Sequence, residues 1–598
     1  MGTNSKLRSA WPIACSLAAL LTWGLFDAGP SGHAFAQSVQ PQALDLKPLE
    51  LPGIIRTPIG VTRAGTPLQA FITQDDLDVH TKKFRLLIVA GLDGSPHSAV
   101  SAVTVMRRFT TDPLFAPLRK LMALSIVPTG NPDGLARGLR NDNSAGGDPS
   151  RGYPPPRDAY LSPTNPEAQY LWRWIGMHAP DMVIELAEGR VNEYVSNSTR
   201  PADSLIAQLT TVPACDVGII SASCWTVPPG NLSPFSEITE GLLAGMASGN
   251  IEPDLPDLSP ARVEMQARDK RSALEVCQQL AKVYGHELST VAYIPAVACI
   301  GRLRLAKLTG DTAAVADIER IAADYISDAK PSLTESSSGS VIAGHILWGE
   351  LYDATNNRDL IKLTLRAADR AFTSEGQPLS AMPTHNEMSD AVFMGCPILA
   401  QAGRLTGNRK YFEMCAKHMR FMVALNRRRD GLHRHSPLDE TAWGRGNGFP
   451  ALGLALALAD LPADDAIGEE MLAVFRAHLT ALLPHQDPTG AWHQVIDHPE
   501  SYRELTATCM ITYAMARGVR EGWLDKAMFE PAVRRGWTAV KARVAADGSL
   551  VDVCTGTGKM KSLREYYDRT AILGRDPRGG AMAMLVATEM AAWESPTK

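Results

Sequence analysis

TAWGRGNGFPALGLALALADLP, residues 441–462, decides how the C-terminal half of this 598-residue chain folds. Its first part, Trp443-Gly-Arg445-Gly-Asn447-Gly, is too glycine-rich to start a helix, because glycine gives up more backbone freedom on ordering than any other residue. The apolar run behind it, 451–461, is long enough for three helical turns. A loop is therefore expected to deliver Trp443, Arg445 and Asn447 to the mouth of a buried helix. An aromatic ring, a fixed cation and an amide presented together suit an anionic sugar: the ring covers one sugar face and the guanidinium grips a carboxylate through two parallel bonds. The plain alternative is a glycine-rich turn before a core helix, with no ligand.

Composition narrows the class around that stretch. Lys6 and Arg8 precede an apolar run, 11–26, and Ala34-Phe35-Ala36 offers a small-x-small cleavage site. Residues 1–36 thus read as a signal peptide, and the run is short for a bilayer span. A secreted or periplasmic protein with no stable membrane insertion after cleavage is expected. With 45% apolar and 21% charged residues the remainder is an ordinary globular chain, too long for one core. A net charge of −5, and no basic run longer than Arg427 to Arg429, argue against a nucleic-acid partner. The cysteines show no metal spacing, and no metal or cofactor is expected. Cys215 and Cys224 alone are close enough in sequence to suggest a local disulfide.

From 50 to 250 the texture is α/β. Buried-strand runs at 84–90, 121–127 and 182–186 alternate with helical patterns at 100–109 and 166–178, which implies a mainly parallel sheet with its functional loops at the strands' carboxyl ends. Three segments, LLIVAGLDGSPHSA, PTGNPDGLARGLRNDNSAGGDPSRGYPP and PEAQYLWRWIGMHAPDMVIELAEG, resemble the zinc carboxypeptidases. The metal ligands do not match: Asp93 and Pro96 stand where that family has a His and a Glu, and Ala187 where it has a second His. Proline and alanine offer a metal nothing, and the neighbouring His97 is a lone residue. The resemblance implies a metal-free, degenerate carboxypeptidase-like domain with a mixed sheet, in which Arg140 and Arg151 keep an anion-binding surface.

NIEPDLPDL, 250–258, marks a linker, placed at 251–261, and from 262 to 598 the chain reads as almost wholly helical. About a dozen amphipathic runs, many with Ala and Gly on the apolar face, fit a closed ring of helical hairpins, an all-α (α/α)6 barrel. Chemistry collects at the junctions between loops and helices. Asp390 precedes AVFMGCPILAQAG, His433 and His435 follow Asp430-Gly431, Trp492 and His493 follow Thr489-Gly490, and Tyr502 and Glu504 precede TATCMITYAMARG. Each has a plain alternative: Asp390 as a helix N-cap, Glu504 as a charge favouring a helix start, the histidines as solvent-exposed.

The helical half also resembles a family, the unsaturated uronyl hydrolases of glycoside hydrolase families 88 and 105. The resemblance rests on SDAVFMGCPILAQAGRLTG, DGLHRHSPLDETAWGRGNGFPALGLALAL, GAWHQVIDHPESYRELTATCMITYAMARGV, VDVCTGTG and GRDPRGGAMAML. It implies an oligosaccharide substrate ending in a 4,5-unsaturated uronic acid, cleaved by hydration of the vinyl ether. By the same resemblance Asp390 is the general acid/base and Arg445 holds the uronate carboxylate. His435, Trp443, Asn447, Phe449, Trp492 and His493 complete the sugar site. The sequence departs from the family pattern twice: Phe449 replaces a tryptophan, and Ser336 to Ser340 stand where a second aspartate is expected, with Glu335 the nearest acid. Two functions remain open, a secreted glycoside hydrolase and a non-catalytic carbohydrate- or cell-wall-binding protein built from two degenerate enzyme domains.

Overall fold

The computed structural model describes residues 44–157, 159–190, 193–196, 199–227, 257–384, 387–462 and 465–595. The expected signal peptide and residues 251–256 of the expected linker lie outside them. The chain forms two compact units, Met1–Ala267 and Arg268–Lys598.

The front unit is a seven-stranded mixed sheet made of β1 (Ile54–Val61), β2 (Pro67–Thr73), β3 (Phe84–Ala90), β4 (Met122–Val127), β5 (Met182–Glu188), β6 (Glu193–Val195) and β7 (Ser221–Val227). Their spatial order is β1-β2-β4-β3-β5-β7-β6. The fully buried runs β3 and β4, together with β5 and β7, pair parallel, whereas β1, β2 and β6 pair antiparallel at the margins. Helix α1 (Pro96–Thr111) begins earlier than its apolar pattern, because Ser95 Oγ accepts the N–H groups of His97 and Ser98 and Pro96 occupies the first turn. Helix α2 (Pro166–His178) falls where its pattern placed it.

At the carboxyl ends of these strands Arg140 donates to Asp93 (2.6 Å) and to Glu188 (2.5 Å), and Arg151 donates to Asp203 (2.7 Å). The chain's own carboxylates therefore fill the anion-binding surface expected at Arg140 and Arg151. Cys215 and Cys224 are both buried and not joined to each other, so the suggested disulfide is absent. Cys224 lies within β7 opposite Glu185, while the Cys215 thiol donates to Arg173 O in α2. Arg262, where the helical domain was expected to start, is buried in the front unit. It donates to the carbonyls of Val79 and Lys83 and pairs with Asp181.

The helical unit contains α3 (Ala273–Ala281), α4 (Tyr293–Thr309), α5 (Thr312–Ile326), α6 (Gly339–Gly344), α7 (Ile346–Thr355), α8 (Asp359–Ala368) and α9 (Ala391–Thr406). It continues with α10 (Arg409–Asn426), α11 (Gly444–Leu458), α12 (Ala466–Leu482), α13 (Leu505–Arg520), α14 (Lys526–Arg543) and α15 (Pro577–Glu594). A two-stranded antiparallel pair, β8 (Leu550–Cys554) and β9 (Ala571–Gly574), precedes α15. Helices α4, α6, α9, α11, α13 and α15 each pack on the next, and α15 returns to α4, which closes a ring of six. Helix α7 continues from α6 beside α4 and lines the interior; outside the ring α3 packs on α15 and α4, α5 on α4, α8 on α7 and α9, α10 on α9, α12 on α11 and α14 on α13. Between 261 and 284 the chain is helical in two pieces, the second opening with a capping box at Ser272 and Glu275, and His345 separates α6 from α7.

The inner helices all begin at one end of the ring. At the other end ion pairs from Arg304 to Glu350, Arg404 to Asp353 and Asp460, and Arg517 and Arg520 to Glu589 surround a cavity of about 740 Å³. The decisive stretch is not a loop followed by a helix, since α11 starts at Gly444 and the glycines are helical. Tertiary contact overrides their poor propensity. A Cβ at Gly444 would lie 2.4 Å from His493 O, and one at Gly453 would lie 2.7 Å from Phe393 Cα in α9.

Gly453→Ala should therefore destabilise the helical unit although alanine favours helices. The obstruction is backbone and cannot rotate away, so an overpacking cost of about 1–3 kcal/mol outweighs a propensity gain of about 1 kcal/mol. Urea unfolding of the full chain measures the balance.

Candidate active site

Asp390 stands at the N-terminus of α9, yet its carboxylate caps nothing. Its backbone is already helical and no side-chain bond to the first turn forms. The residue is 6% exposed, and burial raises its pKa to about 7 against the opposing pull of Arg445 and a backbone N–H. By contrast Glu504, at the same position of α13, is spent as a cap. It accepts from Thr506 N (3.0 Å), Ala507 N (2.6 Å) and Cys554 N (2.9 Å), and from the Thr506 hydroxyl. Two carboxylates at the starts of the helices that flank α11 thus differ in what is left for chemistry: most of Asp390, little of Glu504.

The loop before α11 brings a histidine to Asp390. Ser389 N–H donates to His435 O (2.9 Å), which fixes the loop against the start of α9 and leaves His435 Nε2 3.5 Å from Asp390 Oδ1. The imidazole lies against Trp443, with ring centres 4.4 Å apart, and its Nδ1 is 2.9 Å from the Tyr566 hydroxyl. Behind Trp443 the Arg445 guanidinium sits 4.6 Å from the indole centre. Arg445 is buried and donates to Cys554 O (2.8 Å), Thr555 O (2.7 Å) and the Thr506 hydroxyl (3.4 Å). These bonds spend three of the five guanidinium N–H groups on the protein itself.

Asp390, His435, Trp443 and Arg445 are therefore gathered, and the other expected residues serve differently. Asn447 works as a staple: its Oδ1 accepts His433 N–H (2.8 Å) and its Nδ2 donates to His433 O (2.8 Å) and Trp443 O (3.0 Å), tying the histidine-bearing loop to α11. Phe449 is buried against Phe393 and Tyr293. Trp492 is a core residue whose indole N–H donates to Leu482 O (2.9 Å). His493 bonds Ser501 O (2.6 Å) and faces Asp487, which Arg503 also grips. Trp492 and His493 are thus held by partners other than Asp390, and Glu335 is exposed in a turn. Burial also contradicts the reading of the histidines as solvent-exposed, because His433, His435 and His493 are at most 1% exposed.

Two residues that the sequence did not single out belong to the group. Tyr566, in the short helix Leu563–Tyr567, touches His435. Tyr293, the first residue of α4, is close enough to Arg445, Arg578 and Asp390 to feel all three charges. Among the described residues no group of three or more His, Cys, Asp or Glu is arranged to hold a metal ion.

The model of Glycosyl Hydrolase Family 88 matches residues 270–593. An unsaturated 3S-rhamnoglycuronyl hydrolase of Formosa agariphila is 30% identical over 181 residues, covering 27% of this chain and 48% of that protein. The unsaturated rhamnogalacturonyl hydrolase YesR of Bacillus subtilis is 31% identical over 124 residues, covering 21% of this chain and 34% of that one. The chain thus spans about half the length of the first relative and a third of the second. Among solved structures, a glycoside hydrolase from family 105 of C. acetobutylicum aligns with a TM-score of 0.47 at 19% identity, over 54% of this chain and 99% of that one. The family match lies within the helical unit, and the carboxypeptidase resemblance of the front unit finds no support in these comparisons.

The buried carboxyl makes stability depend on pH. Asp390 binds its proton up to about pH 7 when folded but only up to about pH 4 when unfolded. Between those values the folded state holds the extra proton, so this residue makes stability fall as pH rises, levelling off above pH 7. Asp390→Asn should remove that slope: little changed near pH 4, the variant should gain on the wild type by a few kcal/mol at pH 8. Denaturant melts at the two pH values read the difference.

Proposed function

Because the chain belongs to Glycosyl Hydrolase Family 88, we propose that it hydrolyses oligosaccharides ending in a 4,5-unsaturated uronic acid, the product left by polysaccharide lyases. Asp390 carries this reading, as a buried carboxyl that caps no helix, is half protonated near neutral pH and lies beside His435, Trp443 and Arg445. The substrate class follows the names of the relatives.

In the proposed reaction the Asp390 carboxyl gives its proton to C4 of the C4=C5 double bond. The positive charge that develops at C5 is shared with the ring oxygen. Water adds to C5 and returns a proton to the Asp390 carboxylate, restoring the acid. The resulting hemiketal opens, and the hemiacetal exposed at C1 releases the rest of the oligosaccharide. A carboxyl with a pKa near 7 suits both halves, since it holds a proton to give and is basic enough to take one back.

Trp443 supplies a flat apolar face for the sugar. Arg445 places a fixed positive charge beneath it, and the N–H groups that it does not spend on Cys554, Thr555 and Thr506 are available to the uronate carboxylate. Secretion remains part of this proposal and rests on residues 1–36 alone.

Incubation with lyase-generated unsaturated disaccharides of rhamnogalacturonan and of a glucuronate polymer tests the reading, because hydration abolishes the ultraviolet absorbance of the conjugated uronate. We expect absorbance to fall with the wild type, and kcat to decline as pH rises through about 7. Asp390→Asn should lower kcat by about 10² to 10⁴ while binding persists. Substrate binding with no absorbance loss would leave the chain a binding protein.

A further inference from the structure

We propose that Tyr566 is a positioning residue that fixes the tautomer of His435 and thereby turns an N–H toward Asp390. This inference rests on the reading of Asp390 as the acid, and it goes beyond it by assigning the proton that stabilises the carboxylate which that acid leaves behind.

Hydrogen-bond accounting carries the assignment. The Tyr566 hydroxyl is in a residue only 1% exposed, and among the described residues it has two hydrogen-bonding neighbours. Met560 N–H points at it from 3.4 Å and can only donate, and His435 Nδ1 lies 2.9 Å away. A buried hydroxyl proton left without an acceptor is costly, and among the described residues the acceptor within hydrogen-bond distance is Nδ1. Tyr566 therefore donates to Nδ1, and the neutral imidazole carries its hydrogen on Nε2. Nε2 is the atom that faces Asp390 Oδ1 at 3.5 Å. The ring cannot turn away from this pose, since Trp443 lies against it and its backbone N–H and C=O bond Thr441 and Ser389. Tyr566 is itself held, because Gln494 Nε2 donates to its carbonyl (3.1 Å).

The consequence is differential. While Asp390 is protonated, an N–H at 3.5 Å contributes little. Once the proton has gone to the sugar, the same N–H meets a full carboxylate and the bond shortens and strengthens. The device favours the state after proton transfer over the state before it, which lowers the barrier. The other groups facing Asp390 lack this selectivity for a single carboxylate oxygen. They are the Arg445 cation on α11, the Tyr293 hydroxyl at the start of α4 with Arg578 beyond it, and Tyr566 itself, which also faces Asp439 and Glu565.

Tyr566→Phe keeps the ring and removes only the donor. Nδ1 then competes for the hydrogen, and in part of the molecules Nε2 offers Asp390 a lone pair, which stabilises the protonated acid. Two measurements on the full chain test this. With ring-¹⁵N-labelled histidine at pH 8, His435 of the wild type should show a bare Nδ1 and a protonated Nε2, and Tyr566→Phe should show both tautomers. With an unsaturated rhamnogalacturonan disaccharide, kcat of the variant should fall about tenfold, the worth of one hydrogen bond. KM should change little and the alkaline limb of the profile should move to higher pH. A protonated Nδ1 in the wild type, or a loss of kcat with an unmoved limb, would overturn the assignment. Asp390→Asn run alongside separates the two claims. If it keeps full turnover, the reading of Asp390 fails whatever Tyr566 does; if it is inactive while Tyr566→Phe matches the wild type, only the role of Tyr566 fails.

Discussion

Close approach of helix backbones is the constraint on which this site depends. Helix α11 meets α9 at Gly453, where no side chain would fit against Phe393 Cα, and its first residue, Gly444, lies against His493 O. That contact sets how near the start of α11 comes to the start of α9. Trp443 and Arg445 flank Gly444, so they enter the space beside Asp390. Helix propensity argues against three glycines in the first turns of a helix, and packing wins because a continuous ring buries far more than those glycines cost.

The same closeness creates the electrostatics. Crowded helix starts exclude water from Asp390, and burial raises its pKa further than the Arg445 charge lowers it. Arg445 is itself buried and holds Cys554 O and Thr555 O, so the positive charge near the acid cannot swing away. Glu504 shows the other outcome of the same architecture, a carboxylate beside the same ring whose oxygens are occupied by the start of α13 and by Cys554 N–H. Environment rather than residue type separates a candidate acid from a cap.

The large-scale plan was legible in the sequence. Buried runs of Val, Ile and Leu marked β3, β4 and β5, and small-residue helical periodicity marked the ring. Within the candidate site, Asp390, His435, Trp443 and Arg445 were expected together from their place at junctions and from family resemblance, and the fold does bring them together. The packing of Trp492, His493 and Phe449 was not legible, because a residue's number along a loop does not say which way its side chain points; all are turned into the core or onto backbone carbonyls. Tyr566 was missed for the converse reason. It is 131 residues from its partner His435, in a short helix with no pattern of its own, and only the fold brings them together. In the front unit Arg140 looked like a free cation, and its partners Asp93 and Glu188 are 47 and 48 residues away.

The central claim is that Asp390 holds a proton near neutral pH because the helix starts around it exclude water. Difference infrared spectroscopy of the carboxylic C=O stretch, with Asp390→Asn as the reference, reads that proton directly and needs no substrate. The account predicts a protonated-carboxyl band in the wild type, absent from the variant, that disappears with a midpoint near pH 7. A band that is already gone by about pH 5, in the ordinary carboxylate range, would contradict it.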